Sequence, residues 1–492
     1  MYRFIFFICY ITKIVWADSM LISQENFSFT KIPVSKASDT QSKIDYTQQT
    51  PINVQQAWNK ILLHHDGLKA QNLNTKAMEK MRLAARLSYL PQIDLNAFYL
   101  HMGDRIQLDL TAHNKNEVNL AQQQICNSSP PLPQLCSLIT TLNTPITLMN
   151  RNIIVGALNI LYPIYTGGTR FYGNKLAEIA LKDSYQALRL KELATFEELV
   201  EIYYSVVLAK ESLEVLQATQ EGALKHYQNS MKLHKLGQIA DLELLGSQVA
   251  YDKARNNTLA AQNVFDVTQL ALDSILQSQN VLPTSVLQIS PTMKLKEINY
   301  YVDITLQSYP ALQIARNKIT SATQQHKLEF GKFMPQIGAF ASFVVTDNQS
   351  KLEQMMPNWY LGIAAKWSIV SPQGRFQKFQ ATKIMQLQAS ALESQAVKDM
   401  ELLVKKTYKQ LVFYQQEHEN LHSSVALAKE NLRLQEKAYM QGIATNDQVV
   451  DARNALSLAI MEQQAVAYKT IVTYAKLQAL SGNIEEFFKV QQ

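Results

Sequence analysis

His418, Glu419 and His422 stand in the order H-E-x-x-H, a spacing that sets two imidazoles on one face of a helix with a carboxylate beside them, as zinc-dependent hydrolysis requires. Such chemistry also needs a third ligand and a substrate cleft. The residue at the usual distance for a third histidine is Ala428, and the pattern lies deep inside a long helix-forming stretch. A zinc metalloprotease is therefore the least favoured reading, and no catalytic residue, metal or cofactor is expected. Cys126 and Cys136 flank Ser-Ser-Pro-Pro-Leu-Pro, a short loop that a disulfide would close in an exported protein. No Walker loop, G-x-S-x-G elbow or dinucleotide fingerprint occurs. His64 and His65 read as a solvated helix pair.

The rest of the chain must explain what holds these residues. Only 15 Gly and 14 Pro punctuate 492 residues, which leaves room for long uninterrupted helices and little for a many-turned all-β fold. The net charge of +6 and the lack of a basic block interleaved with aromatics argue against nucleic acid as a partner. Arg3 precedes the apolar run from Phe4 to Ile11, and Val15-Trp16-Ala17 supplies a cleavage pattern. Residues 1–17 are thus expected to be a signal peptide, with 18–51 an extended N-terminal segment. Beyond Ala17 no apolar run reaches the roughly 18 to 20 residues of a membrane-spanning helix.

An internal duplication organises the chain. Arg170 of Gly-Gly-Thr-Arg recurs as Arg375 of Pro-Gln-Gly-Arg, 205 residues on, and Gly237 recurs as Gly442 at the same offset. Tyr89-Leu-Pro-Gln-Ile93 recurs as Phe333-Met-Pro-Gln-Ile337 at an offset of 244, so the first copy carries 39 extra residues, within about 104–150. Such gapless spacing implies two copies of one structural unit. In each, apolar residues recur at three- and four-residue steps over roughly 60 residues, or about 90 Å of helix. Gly237 and Gly442 sit where the chain would reverse, so the two copies read as long antiparallel helical hairpins. The histidines of the H-E-x-x-H pattern correspond to Leu213 and Gln217 in the first copy, ordinary helix surface.

Four short segments alternate with period two. Ile93, Leu95, Ala97 and Tyr99 share a phase repeated by Ile337, Ala339, Ala341 and Phe343; Ile154, Gly156, Leu158, Ile160 and Tyr162 are repeated by Trp359, Leu361, Ile363, Ala365 and Trp367. Their lengths suit membrane β-strands, and aromatics lie near several ends. Four strands cannot close a membrane barrel, for which about eight is the smallest workable number. Several chains must share one, and three chains would give twelve strands.

Taken together, the duplicated Pro-Gln strand entries, the Gly-Gly-Thr-Arg and Pro-Gln-Gly-Arg exits, and Ala438-Tyr439-Met-Gln-Gly442 leading into Asp447-Gln-Val-Val-Asp451 resemble the TolC family of outer-membrane efflux proteins, over about residues 52–482. The resemblance implies a mostly helical fold with a small β part: duplicated helical hairpins forming a trimeric α-barrel tunnel across the periplasm, and four transmembrane strands per chain in a shared twelve-stranded barrel in the outer-membrane lipid. It implies an export duct working with a periplasmic adaptor and an inner-membrane ABC or RND-type pump, in multidrug efflux or type I secretion. It also implies a gate at the hairpin turns: Tyr439, three residues before Gly442, holds the entrance shut with Glu243 as its acidic partner, and Asp451 rings the mouth. The chain departs from that pattern at Gln448, where the family has a second entrance aspartate, and at Ala444, where it has a basic residue. Asp447 is adjacent to Gln448 but points about 100° away on a helix.

The expected organisation is a first repeat at 52–280, with strands about 89–101 and 151–164, an extracellular loop about 104–150 and a helical hairpin about 173–280. A linker at 281–300 leads to a second repeat at 301–482, with strands about 335–345 and 358–369 and a hairpin about 376–480; a tail at 483–492 follows. The competing class is a periplasmic coiled-coil scaffold or adaptor, which would have no membrane strands.

Overall fold

The computed structural model describes residues 50–109, 114–127, 134, 136–138, 141, 146–290, 293–346, 357–370 and 374–491, all within the unit Gln49–Gln492. The expected signal peptide and all but the last two residues of the expected 18–51 segment lie outside the described residues.

The elements run β1 (Thr50–Ile52), α1 (Val54–His64), α2 (Asp66–Leu87), β2 (Gln92–His101), β3 (Ile106–Leu108), α3 (Lys115–Cys126), β4 (Ile146–Met149), β5 (Asn152–Tyr165), α4 (Thr169–Lys235) and α5 (Asp241–Leu276) through the first copy. Then come β6 (Val281–Pro283), α6 (Ile298–Ser308), α7 (Pro310–Gly331), β7 (Gln336–Thr346), β8 (Trp359–Lys366), α8 (Arg375–Met440), α9 (Asn446–Leu480) and α10 (Ile484–Gln491). At 67 and 66 residues, α4 and α8 each run about 100 Å at 1.5 Å per residue. No helix among the described residues is long and apolar enough to cross a membrane.

β2, β5, β7 and β8 form one antiparallel sheet in that order. Its register sets the period-two phases side by side: Ile93 faces Ile160, which faces Ala341, which faces Leu361, while Leu95, Leu158, Phe343 and Trp359 form the next row. One face of the sheet is therefore apolar across all four strands. It is also open, with Ile93, Leu95, Leu361 and Ile363 all well exposed, the reverse of a soluble sheet packed on a core. The opposite face carries Gln92, Asp94 and a bond from Ser342 Oγ to Asn159 Oδ1 (2.8 Å). Strand ends differ from expectation by up to three residues. Tyr89 belongs to the turn closing α2, its N–H bonding Arg86 O, and β8 stops before Trp367, whose Nε1 donates to Phe333 O. The extra residues of the first copy include α3 and the two-stranded β3–β4 sheet, with Cys126 and Cys136 joined in a disulfide.

The core gathers at the middle of α4. Phe196 is fully buried and meets Trp58, Phe487 and Phe488 edge-on, with ring centroids 5.5, 5.4 and 5.6 Å away. Tyr203 donates to Ile52 O, and Tyr204 to Gln491 Oε1. Two segments expected to be mere connections are thus structural. The 281–300 stretch contributes β6, paired in parallel with β1, and the buried Met293. The 483–492 stretch is the helix α10, which inserts Phe487 and Phe488. Burying an aromatic side chain supplies a few kcal/mol, enough to draw in short segments whose sequence carries too few periods to announce them.

Phe196→Ala should cost about 3–5 kcal/mol and loosen α10 with it. Urea unfolding followed by Trp58 fluorescence, with proteolysis at the C-terminus, checks both effects.

Candidate functional site

The two hairpin turns are built alike. Gly237 and Gly442 adopt φ of +73° and +71°, and the following N–H reaches back to close the helix: Gln238 N to Leu233 O (2.9 Å) and Ile443 N to Ala438 O (2.9 Å). That is the six-to-one bond of a left-handed helix stop, which favours glycine because a Cβ is disfavoured at such φ.

The returning helices start differently. Thr445 caps α9, its Oγ1 accepting from Gln448 N while Gln448 Oε1 accepts from Thr445 N (2.9 Å). Gln448 is thereby a capping residue. In the first copy the cap position is Ala240, with no side-chain bond to give. Its third helical residue is Glu243, the counterpart of Gln448 at the 205 offset. Freed from that local task, Glu243 reaches across to the other hairpin, where Oε2 accepts from Asn446 N (3.1 Å). This satisfies one of the unpaired donors at the start of α9 and places negative charge at its positive end.

Around this bridge lies a polar cluster between hairpins. The Tyr439 side chain is buried, its hydroxyl sharing a hydrogen bond with Ser230 Oγ (2.8 Å) and its ring packed 4.6 Å from that of His226. His226 Nε2 donates to Asn446 Oδ1 (2.7 Å), and Asn446 Nδ2 donates to Asp447 Oδ1 (3.2 Å). Burial raises the Tyr439 pKa, the hydrogen bond with Ser230 opposes the rise and the Glu243 carboxylate adds to it. The bonded partner of Tyr439 is thus Ser230, not the expected Glu243, which acts on the phenol only through space. Two turns further along α9, Arg453 is almost fully buried and donates to Glu436 Oε1 (2.6 Å). Gly222 makes that possible, since a Cβ there would stand 2.9 Å from Arg453 Nε.

Asp447 and Asp451 are both exposed, one turn apart on α9, so they share a face. His418 and His422, by contrast, lie far along α8. Among the described residues no group of three or more His, Cys, Asp or Glu could hold a metal ion.

Sequence reasoning placed Tyr439 and Glu243 in the site but missed Ser230, His226, Asn446 and Arg453. A position-by-position comparison of the copies contains the signal. The counterparts of Tyr439 and Asn446 are His234 and Asp241, which bond each other inside the first hairpin (2.6 Å), whereas the second copy's pair turns outward to the first.

Burial, followed by the nearby Arg453 charge, lowers the His226 pKa below 6.5, while the bond to Asn446 opposes that fall. Glu436 and Glu243 also face the ring and favour its protonation. With the hairpins together burial favours the neutral ring; with them apart the pKa would return toward 6.5, so a separated state would bind more protons between the lowered pKa and 6.5. Acidification through that interval favours separation. Amide protection factors at the two turns, corrected for the intrinsic pH dependence of exchange, should therefore fall as pH drops below 6.5, and His226→Gln, which keeps a donor for Asn446, should flatten the dependence.

A family model described as outer membrane efflux protein matches residues 57–277 and 301–483, the two copies of the duplication. No curated protein sequence matches the chain. Among solved structures, CusC, reported in relation to transmembrane channel formation, superposes with a TM-score of 0.70 at 14% identity, covering 90% of this chain and 99% of its own. The outer membrane protein VceC of Vibrio cholerae gives 0.68 at 13%, covering 88% and 96%. The MtrE outer membrane channel of Neisseria gonorrhoeae, in its open state, gives 0.68 at 14%, covering 93% and 98%. At these identities the likeness concerns the fold. The family model carries the assignment: the chain belongs to the outer membrane efflux protein family.

Proposed function

We propose that three copies of this chain form a passive export duct, a twelve-stranded barrel in the outer membrane continued by a helical tunnel in the periplasm. The duct receives cargo from an inner-membrane ABC or RND-type pump through a periplasmic adaptor, for multidrug efflux or type I secretion. The observation that carries this reading is the four-stranded sheet. Its edge strands β2 and β8 are each paired on one side only among the described residues, and its apolar face is exposed. In lipid, each unpaired backbone group costs several kcal/mol, so the edges must pair with those of other copies. The inter-hairpin cluster is the entrance gate of this duct. Tyr439, Ser230, His226, Asn446 and Glu243 hold the tips of one chain together, and Asp451, repeated three times around a narrow mouth, attracts cations.

Two measurements test the reading. The molar mass in detergent, corrected for bound detergent, should be that of a trimer; a monomer or dimer extracted without detergent would turn the assignment toward a periplasmic scaffold. In planar bilayers, Tyr439→Phe and Ser230→Ala should raise resting conductance to a similar degree, since both remove one shared hydrogen bond. A bond of about 1 kcal/mol corresponds to about a fivefold shift between closed and open. Adding Glu243→Gln to Tyr439→Phe should raise it further, and unchanged conductance in the double variant would remove these residues from the gate.

A further inference from the structure

The H-E-x-x-H pattern is left without a role by the export function. His418 and His422 lie one turn apart on the same face of α8, with ring centroids 5.2 Å apart. His418 is half-buried and His422 exposed. We propose that these two imidazoles form a bidentate site for a divalent transition-metal ion of the zinc, nickel or copper class.

The spacing supports it directly. Residues four apart on a helix project side by side, and two rings at this separation can turn one nitrogen each toward an ion bound at about 2.0–2.1 Å. Imidazole nitrogen selects borderline metals over magnesium or calcium, which seek oxygen. The same helical face continues through Tyr414 on one side and Ala426 on the other, neither of which is a metal ligand of this class. Glu419 leaves the helix about 100° from His418 and does not join. The remaining coordination positions are filled by water or by a donor from outside the chain. With two protein ligands and no general base, the site binds metal without the geometry of a zinc hydrolase.

Equilibrium dialysis of the full-length protein in detergent against zinc and against nickel, with metal counted by mass spectrometry, tests the proposal. The wild type should hold one more equivalent per chain than either His418→Ala or His422→Ala, while Glu419→Gln should hold the wild-type amount. Equal metal content in the wild type and His422→Ala would overturn the proposal, as would a loss in Glu419→Gln equal to that in the histidine variants. If an alanine variant fails to fold, the wild type alone decides. Zinc should protect His418 and His422 from diethyl pyrocarbonate and leave His326 as reactive as before, and no selective protection would overturn the site.

Discussion

β2 and β8 each present an outer row of backbone N–H and C=O groups that no strand among the described residues takes up. In water such edges are a liability; in hydrocarbon they are forbidden. The pressure to satisfy them is what the remaining architecture answers to. A strand pair from each copy of the duplication, laid in register so that every apolar row aligns, gives a sheet with the right face turned outward but too few strands to close. The long helices leave the sheet through Gly168 and Gly374, both with positive φ. Sheet and hairpins therefore rest on one constraint, and the proposed threefold assembly is its simplest resolution.

Where the constraint is lipid at one end, it is ordinary burial in the middle. The cluster around Phe196 joins α1, α4 and α10, and the bond from Tyr203 to Ile52 ties in β1, itself paired with β6. Helices about 100 Å long have little to hold them at any one point except their neighbours. A dense aromatic knot midway clamps the first hairpin, the inter-repeat segment and the C-terminus together. Segments that look like leftovers in the sequence thus contribute some of the most completely buried side chains in the chain.

The sequence made the strands, the hairpins and their duplication legible because each rests on many residues repeating one period. Ile93 to Tyr99 and their counterparts need no tertiary knowledge to show alternation, and Gly237 and Gly442 mark the reversals by their backbone demands. β6 and α10 were not legible, since three and eight residues hold too little periodicity to separate from loop. The cluster between the hairpins was legible only at Tyr439 and Glu243, by resemblance. Ser230 and His226 lie two and three turns before the first reversal, on a helix face that looks like any other. What brings them into the cluster is the neighbouring hairpin, a relation across more than 200 residues that no local pattern encodes.

The first backbone N–H of α9 is satisfied by Glu243, a residue of the other hairpin. Parting the tips therefore leaves the opening turn of α9 without part of its electrostatic anchor, so that separation and fraying of that turn become a single event. Such a latch carries its own restoring force. A helix end that has lost this second partner would gain from recapturing the carboxylate, which favours the joined arrangement of the tips.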